Sequence, residues 1–184
     1  MHAAKGKVGI HGGMRLRDNE TYNGELMEVG KENEEIFKKW LESIGYKVID
    51  LRESRLAQRY DVDFVSEKDG KSTSVEVKSD KYIKEEGNLL FENHRIYHSK
   101  KDNWFYLGWG WRSAAEKLII RNPNTNEAFI FCFSELRKFI GKYISEKGKD
   151  LIIEITKTDN KKTTFSYLIP MSELKSLYKK YNIS

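Results

Sequence analysis

Two hydrophobic spacings divide the chain. Over residues 26–44, Ile36, Phe37, Trp40, Leu41 and Ile44 recur at intervals of three and four, which predicts a helix with one buried stripe, ended by Gly45. The period then shortens. Residues 46–51 predict a strand, residues 52–59 a polar connection, and the runs DVDFV and TSVEVK two strands about Lys68-Asp69-Gly70-Lys71. NLLFENHRIYH, residues 88–98, alternates as a further strand, and LIIRN and AFIFCF flank an Asn122-Pro123-Asn124 turn. Residues 134–143 predict a helix whose SEL opening supplies an N-cap. Residues 150–155 and 163–169 predict a late hairpin about Asp159-Asn160, with a short helix from Ser172. Residues 1–24 lack apolar periodicity and read as a flexible arm, in which HGGM before Arg15 reads as an appended stretch or an upstream start. Residues 25–184 are expected to form one mixed α/β domain, ordered helix, sheet, helix.

The Asp69-Gly70 pair fixes a register. Both residues tolerate the positive φ of a type I′ turn, so a two-residue loop sets Lys68 opposite Lys71. Continued down the hairpin, that pairing sets Asp63 opposite Glu76 and Asp61 opposite Lys78. Val62, Phe64, Val75 and Val77 then share the other, core-facing side. Opposed carboxylates repel by ~0.2–1 kcal/mol when solvated and by more when half buried. A cation is expected between them, and an oxygen-only donor set suits Mg2+ or Mn2+ rather than zinc. The bland alternative is a solvated, charged hairpin face.

Composition narrows the setting. The chain has 184 residues, 39% of them hydrophobic and 12% aromatic, enough for a packed core. Its 33 Lys and Arg exceed its 28 Asp and Glu, a surplus of five that is compatible with a polyanionic partner. The single Cys132 excludes an internal disulfide and is expected as a buried thiol. No apolar run is long enough to span a membrane and no signal-peptide core is seen, so an intracellular, cytoplasmic protein is expected.

Ahead of the hairpin stands VGKENEEIFKKWLESIGYKV. Gly30, Glu34, the Leu41 to Gly45 helix end, Asp63-Phe64-Val65 and Glu76-Val77-Lys78 follow in order. In that order they resemble the PD-(D/E)xK nuclease superfamily, and within it the archaeal-type Holliday junction resolvases and their phage and bacterial relatives. The resemblance is detailed over residues 30–80 and looser to about residue 140, where GNLLFE and AAEKLIIRNPNTNEAFIF look like phage nuclease relatives. The proline common before the family's Asp is Val62 here, and Ser54 is the local candidate for the resolvases' loop serine.

The resemblance implies a restriction-endonuclease-like fold, a mixed sheet flanked by helices, and metal-dependent endonucleolytic cleavage of DNA. Glu34, Asp63, Glu76 and Lys78 would be its catalytic set, with Asp61 a second acid that could share the role of Asp63. Asp63, Glu76 and the Val77 carbonyl would hold the metal. Asn88 and Glu92 would border the site. The alternatives are a general repair, recombination, restriction or phage nuclease, and a DNA-binding module that kept the fold and lost catalysis.

Lys100, Lys101 and Arg112 surround the aromatic run WFYLGWGWR, which suits DNA contact, a core or a homodimer surface. His94 and His98 lie four apart on a strand-like run with no third soft ligand near them, which argues against a zinc site.

Overall fold

The computed structural model describes residues 15–17, 24–99, 102–158 and 162–183. In chain order the elements are β1 (Arg15–Arg17), α1 (Gly24–Ser43), β2 (Lys47–Asp50), α2 (Arg55–Arg59), β3 (Phe64–Lys68) and β4 (Lys71–Ser79). Then come β5 (Asn88–His98), β6 (Asn103–Leu107), α3 (Trp109–Arg112), β7 (Lys117–Arg121), β8 (Glu127–Cys132) and α4 (Phe133–Lys147). β9 (Ile153–Thr158), β10 (Lys162–Pro170), a 3-10 turn (Met171–Leu174) and β11 (Tyr178–Asn182) complete the described chain.

The mixed α/β expectation holds, but the strands divide between two sheets. One runs β11-β8-β7-β4-β3-β2, with β4 and β7 parallel and the other neighbours antiparallel. The other runs β1-β9-β10-β5-β6. β5 has the bounds that alternation predicts, yet it belongs to the second sheet. Arg15–Arg17, within the expected arm, pairs in parallel with β9. The Asp159-Asn160 turn lies outside the described residues.

Helix α1 closes as its glycine requires. Gly45 has φ +86°, its N–H donates to the Glu42 carbonyl, and the Tyr46 N–H donates to the Leu41 carbonyl, both at 3.0 Å. This left-handed closure satisfies carbonyls that the helix end leaves open. Phe37 and Leu41 are buried with Phe64, Val75, Val77 and Ile119, so α1 covers one face of the six-stranded sheet. Ile44, expected in that stripe, is 40% exposed because the helix is already turning away.

The opposite face of that sheet builds a larger core. Leu118, Ile120, Phe129 and Phe131 pack there with Leu136 and Ile140 of α4 and with Leu89, Phe91 and Ile169 of the second sheet. Val62 joins this second core, not the Phe64, Val75 and Val77 side as strict alternation required. Three further differences are local. Residues 55–59 are helical because the Ser54 hydroxyl accepts the Ala57 N–H at 3.3 Å, so Ser54 is a cap. Helix α4 starts at Phe133 behind Cys132, which leaves Ser134 inside it and Cys132 only half-buried. The YKKYN strand β11 was not anticipated because its exposed lysines break alternation; Lys180 secures it through Glu127 and Glu85.

Phe37 is fully buried between α1 and the sheet. Phe37→Ala is expected to lower unfolding stability by about 3–5 kcal/mol in urea denaturation, the usual cost of an aromatic-sized cavity.

Candidate active site

The hairpin register is as the turn predicts. Lys68 pairs with Lys71 and Phe64 with Val75, and Asp69 and Gly70 have φ +52° and +71°. At Asp63 the ladder slips by one residue: its N–H donates to the Val75 carbonyl at 2.9 Å. Strand β3 begins only at Phe64, whereas β4 continues to Ser79. The Asp63 carboxylate takes the missing partner's place, accepting the Val77 N–H at 2.8 Å. A strand residue's N–H and C=O point to the same edge, so the Val77 carbonyl opens toward Asp63 as well.

Asp61 does not oppose Lys78. It adopts φ +48° before the strand begins and is gripped by Arg112, whose Nε and Nη2 donate at 2.7 and 2.6 Å. The slip that frees Asp61 also carries Val62 to the other core.

Glu76 lies on the opposite face of β4 from Val75 and Val77, beside Leu118 of β7. It is 1% exposed, with the Lys78 ammonium on Oε1 and, among the described residues, no hydrogen-bond partner for Oε2. Burial pushes its pKa from 4.5 to about 8; Lys78 opposes that shift and Asp63 adds to it. Burial alone would lower the Lys78 pKa, but Glu76 and Asp63 outweigh it and the net shift is upward. The Lys78 side chain keeps 32% of its surface exposed, so it reaches solvent from a buried root.

Helix α1 delivers Glu34. The buried residue before it, Asn33, donates to the Ser79 hydroxyl at 3.1 Å and accepts from Arg121 of β7. This pins the helix over the end of β4. Glu34 is raised above the ordinary carboxylate value by burial first and by Asp63 second, with Arg52 and Lys78 pulling the other way. Arg52 approaches Glu34 at 3.8 Å, binds Glu35 at 2.9 Å and grips Asp50. Its hydrogen bonds hold the Asp50 pKa down to about 2. A cleft lined by Gly30, Lys31, Glu34, Asp50, Arg52, Glu53 and Gln58 opens beside these groups.

The predicted residues therefore divide. Glu34, Asp63, Glu76 and Lys78 are electrostatic neighbours, with Val77 between Glu76 and Lys78 in the chain. Asn88 borders a different cleft with Glu85, Glu86 and Lys175. Glu92 is buried, paired with Arg95 and accepting from the Trp109 N–H at 3.4 Å. Arg112 is engaged by Asp61, and Lys100 and Lys101 lie outside the described residues. His94 stacks between Phe105 and Phe165, while His98 bonds Thr163 at 2.8 Å. Sequence reasoning missed Asn33, Arg52 and Arg121. Asn33 had the one available signal, a small polar residue at a position one helical turn before the buried Phe37.

Among the described residues no three His, Cys, Asp or Glu side chains form a ready-made metal cage. At the start of β3, beside β4, stand two carboxylates, one of them with an oxygen that no described group hydrogen-bonds, and a backbone carbonyl. Those donors fit a hard cation that retains several waters and takes one or two protein carboxylates.

No protein-family model matches the chain, and no curated protein matches it. Among solved structures it is similar to a bacterial homing endonuclease, I-Ssp6803I, at 16% identity and a TM-score of 0.45, covering 59% of this chain and 70% of that one. That likeness is partial. Among the described residues no helix is long and apolar enough to cross a membrane.

The raised Glu76 pKa has a consequence for folding. Between 4.5 and about 8 the folded protein keeps a proton that the unfolded chain has lost. Metal-free stability is therefore expected to fall as pH rises through that window, by up to about 1.4 kcal/mol per pH unit. Urea midpoints in chelator, compared with Glu76→Gln, check this: the glutamine variant should lack that part of the slope.

Proposed function

We propose that the protein is a divalent-cation-dependent endonuclease that hydrolyses phosphodiester bonds in DNA. The observation that carries this reading is Glu76, a buried carboxylate with one oxygen unpartnered among the described residues, beside Asp63 and next to a partly exposed lysine. Buried polar atoms are nearly always satisfied, so the orphan oxygen points to a cationic occupant. Asp63, Glu76 and the Val77 carbonyl would hold Mg2+ or Mn2+. Such an ion polarises a bound phosphate and lowers the pKa of its water.

The chain's own groups supply the rest. Lys78 stays charged under its raised pKa, which favours facing the charge that develops on the phosphate over taking a proton from water. Glu34 sits where a carboxylate with a raised pKa can accept a proton from an ordered water. Arg52 pairs with Asp50 and Glu35 and so offsets their charge beside Glu34. The surplus of five positive charges suits DNA as the partner. Helix, hairpin and E-x-K on one mixed sheet accord with the restriction-endonuclease-like resemblance, and branched DNA is the substrate that the resolvase likeness suggests.

A second reading is a DNA-binding module without catalysis. The Lys78 ammonium on Glu76, where a metal would compete, is the observation that favours it.

Incubation with Mg2+ and labelled linear, flapped, single-stranded and four-way-junction DNAs separates the two. Cleavage of at least one substrate, lost in EDTA, is expected; binding without cleavage supports the second reading. Glu76→Ala and Lys78→Ala should each cut about a hundredfold more slowly or worse, the scale of a lost charge-stabilising or proton-transferring group, while melting near wild type. Lowered melting with unchanged cleavage per folded molecule would make both residues structural. DNA affinity should also fall steeply with salt, and a flat response would point away from a polyanion.

A further inference from the structure

The β5–β6 ribbon carries a surface that hydrolysis leaves unused. Tyr97 pairs with Trp104, and Arg95 with Tyr106, so these four side chains share one face. With Arg112 of α3 they line a groove. Trp104 is 59% exposed, Tyr106 46% and Tyr97 38%. The Tyr97 and Tyr106 rings meet edge-on at 5.3 Å, an arrangement that orders them while leaving ring surface open.

The two arginines are held in place. Arg95 Nη2 donates to Glu92 at 2.8 Å, and Arg112 is gripped by Asp61. Glu92 and Asp61 offset those two guanidinium charges, and between Tyr97 and Trp104 the sequence adds Lys100 and Lys101 against Asp102. A protein partner that buried the three aromatic rings would have to desolvate both guanidinium groups with them. A partner made of flat rings on an anionic backbone meets both demands: rings stack on Trp and Tyr, and phosphates meet the basic groups. Duplex DNA hides the faces of its bases inside the stack, whereas unpaired nucleotides present them.

The groove is also tied to the catalytic edge. The Arg112–Asp61 ion pair joins α3 to the turn two residues ahead of Asp63. We propose that this groove is a stacking platform for unpaired nucleotides, so that the substrate is DNA with a single-stranded segment beside the scissile bond. The substrate assignment rests on the nuclease reading; the platform itself does not.

The test uses the full chain in EDTA, where binding is measured without turnover. An unstructured oligothymidylate and a blunt duplex of the same length are titrated against wild type, Trp104→Ala, Trp104→Phe and Tyr106→Ala. Losing one base stack should weaken oligothymidylate binding about tenfold in each alanine variant, with Trp104→Phe retaining most of the affinity and duplex binding changing little. Unchanged oligothymidylate affinity in both alanine variants, or equal losses on duplex and single strand, would overturn the platform. So would sedimentation showing that Trp104→Ala converts a dimer to a monomer with oligothymidylate affinity intact, which would assign the face to a second copy. The two readings fail separately: a protein that binds through Trp104 and cuts nothing keeps the platform and loses the nuclease. One that cuts while Trp104→Ala binds as wild type does the opposite.

Discussion

Everything at the candidate site follows from burying Glu76 in the middle of a sheet. A lone carboxylate there would shed its charge, and its upward-shifted pKa records that tendency. Lys78 opposes it from two residues along the same strand, and the strand period makes that pairing available. Asp63 works in the other direction. Spending one oxygen on the Val77 N–H fixes its position, and its charge then raises both Glu76 and Glu34. Three acids and one ammonium leave the site short of positive charge, which the proposed divalent ion would supply.

The hairpin was legible because its information is local. Asp69-Gly70 set the register, and the register set which residues share a face. The same extrapolation fails at Asp61 and Val62, which precede the start of β3 and where a left-handed residue resets the alternation. A period of two holds only while the ladder does. The Gly45 closure was legible for the same local reason, whereas the short helix after Ser54 was too brief for periodicity to register.

What the sequence hid was long-range. Asn33 meets Ser79 and Arg121, and Arg52 meets Glu35, all through contacts between distant segments that no spacing announces. The division of strands into two sheets is equally silent. β5 alternates like any other strand, and only its pairing with β10 and β6 places it in the second sheet. The aromatic run of β6 left DNA contact, core and dimer surface open; as an edge strand it is exposed along its whole length, which removes the core reading for that strand.

The parallel pairing of β4 with β7 also sets an order of events. The two strands are hydrogen-bonded neighbours, yet the β5–β6 ribbon and α3 lie between them in the chain. The β3–β4 hairpin can close by itself, as a local contact does, while the β4–β7 pair must wait for a long loop to be gathered in. Until β7 arrives, Glu76 remains in water with an ordinary acidity. Its desolvation therefore belongs to the non-local part of assembly, so the Glu76 site is completed only after the hairpin that carries it.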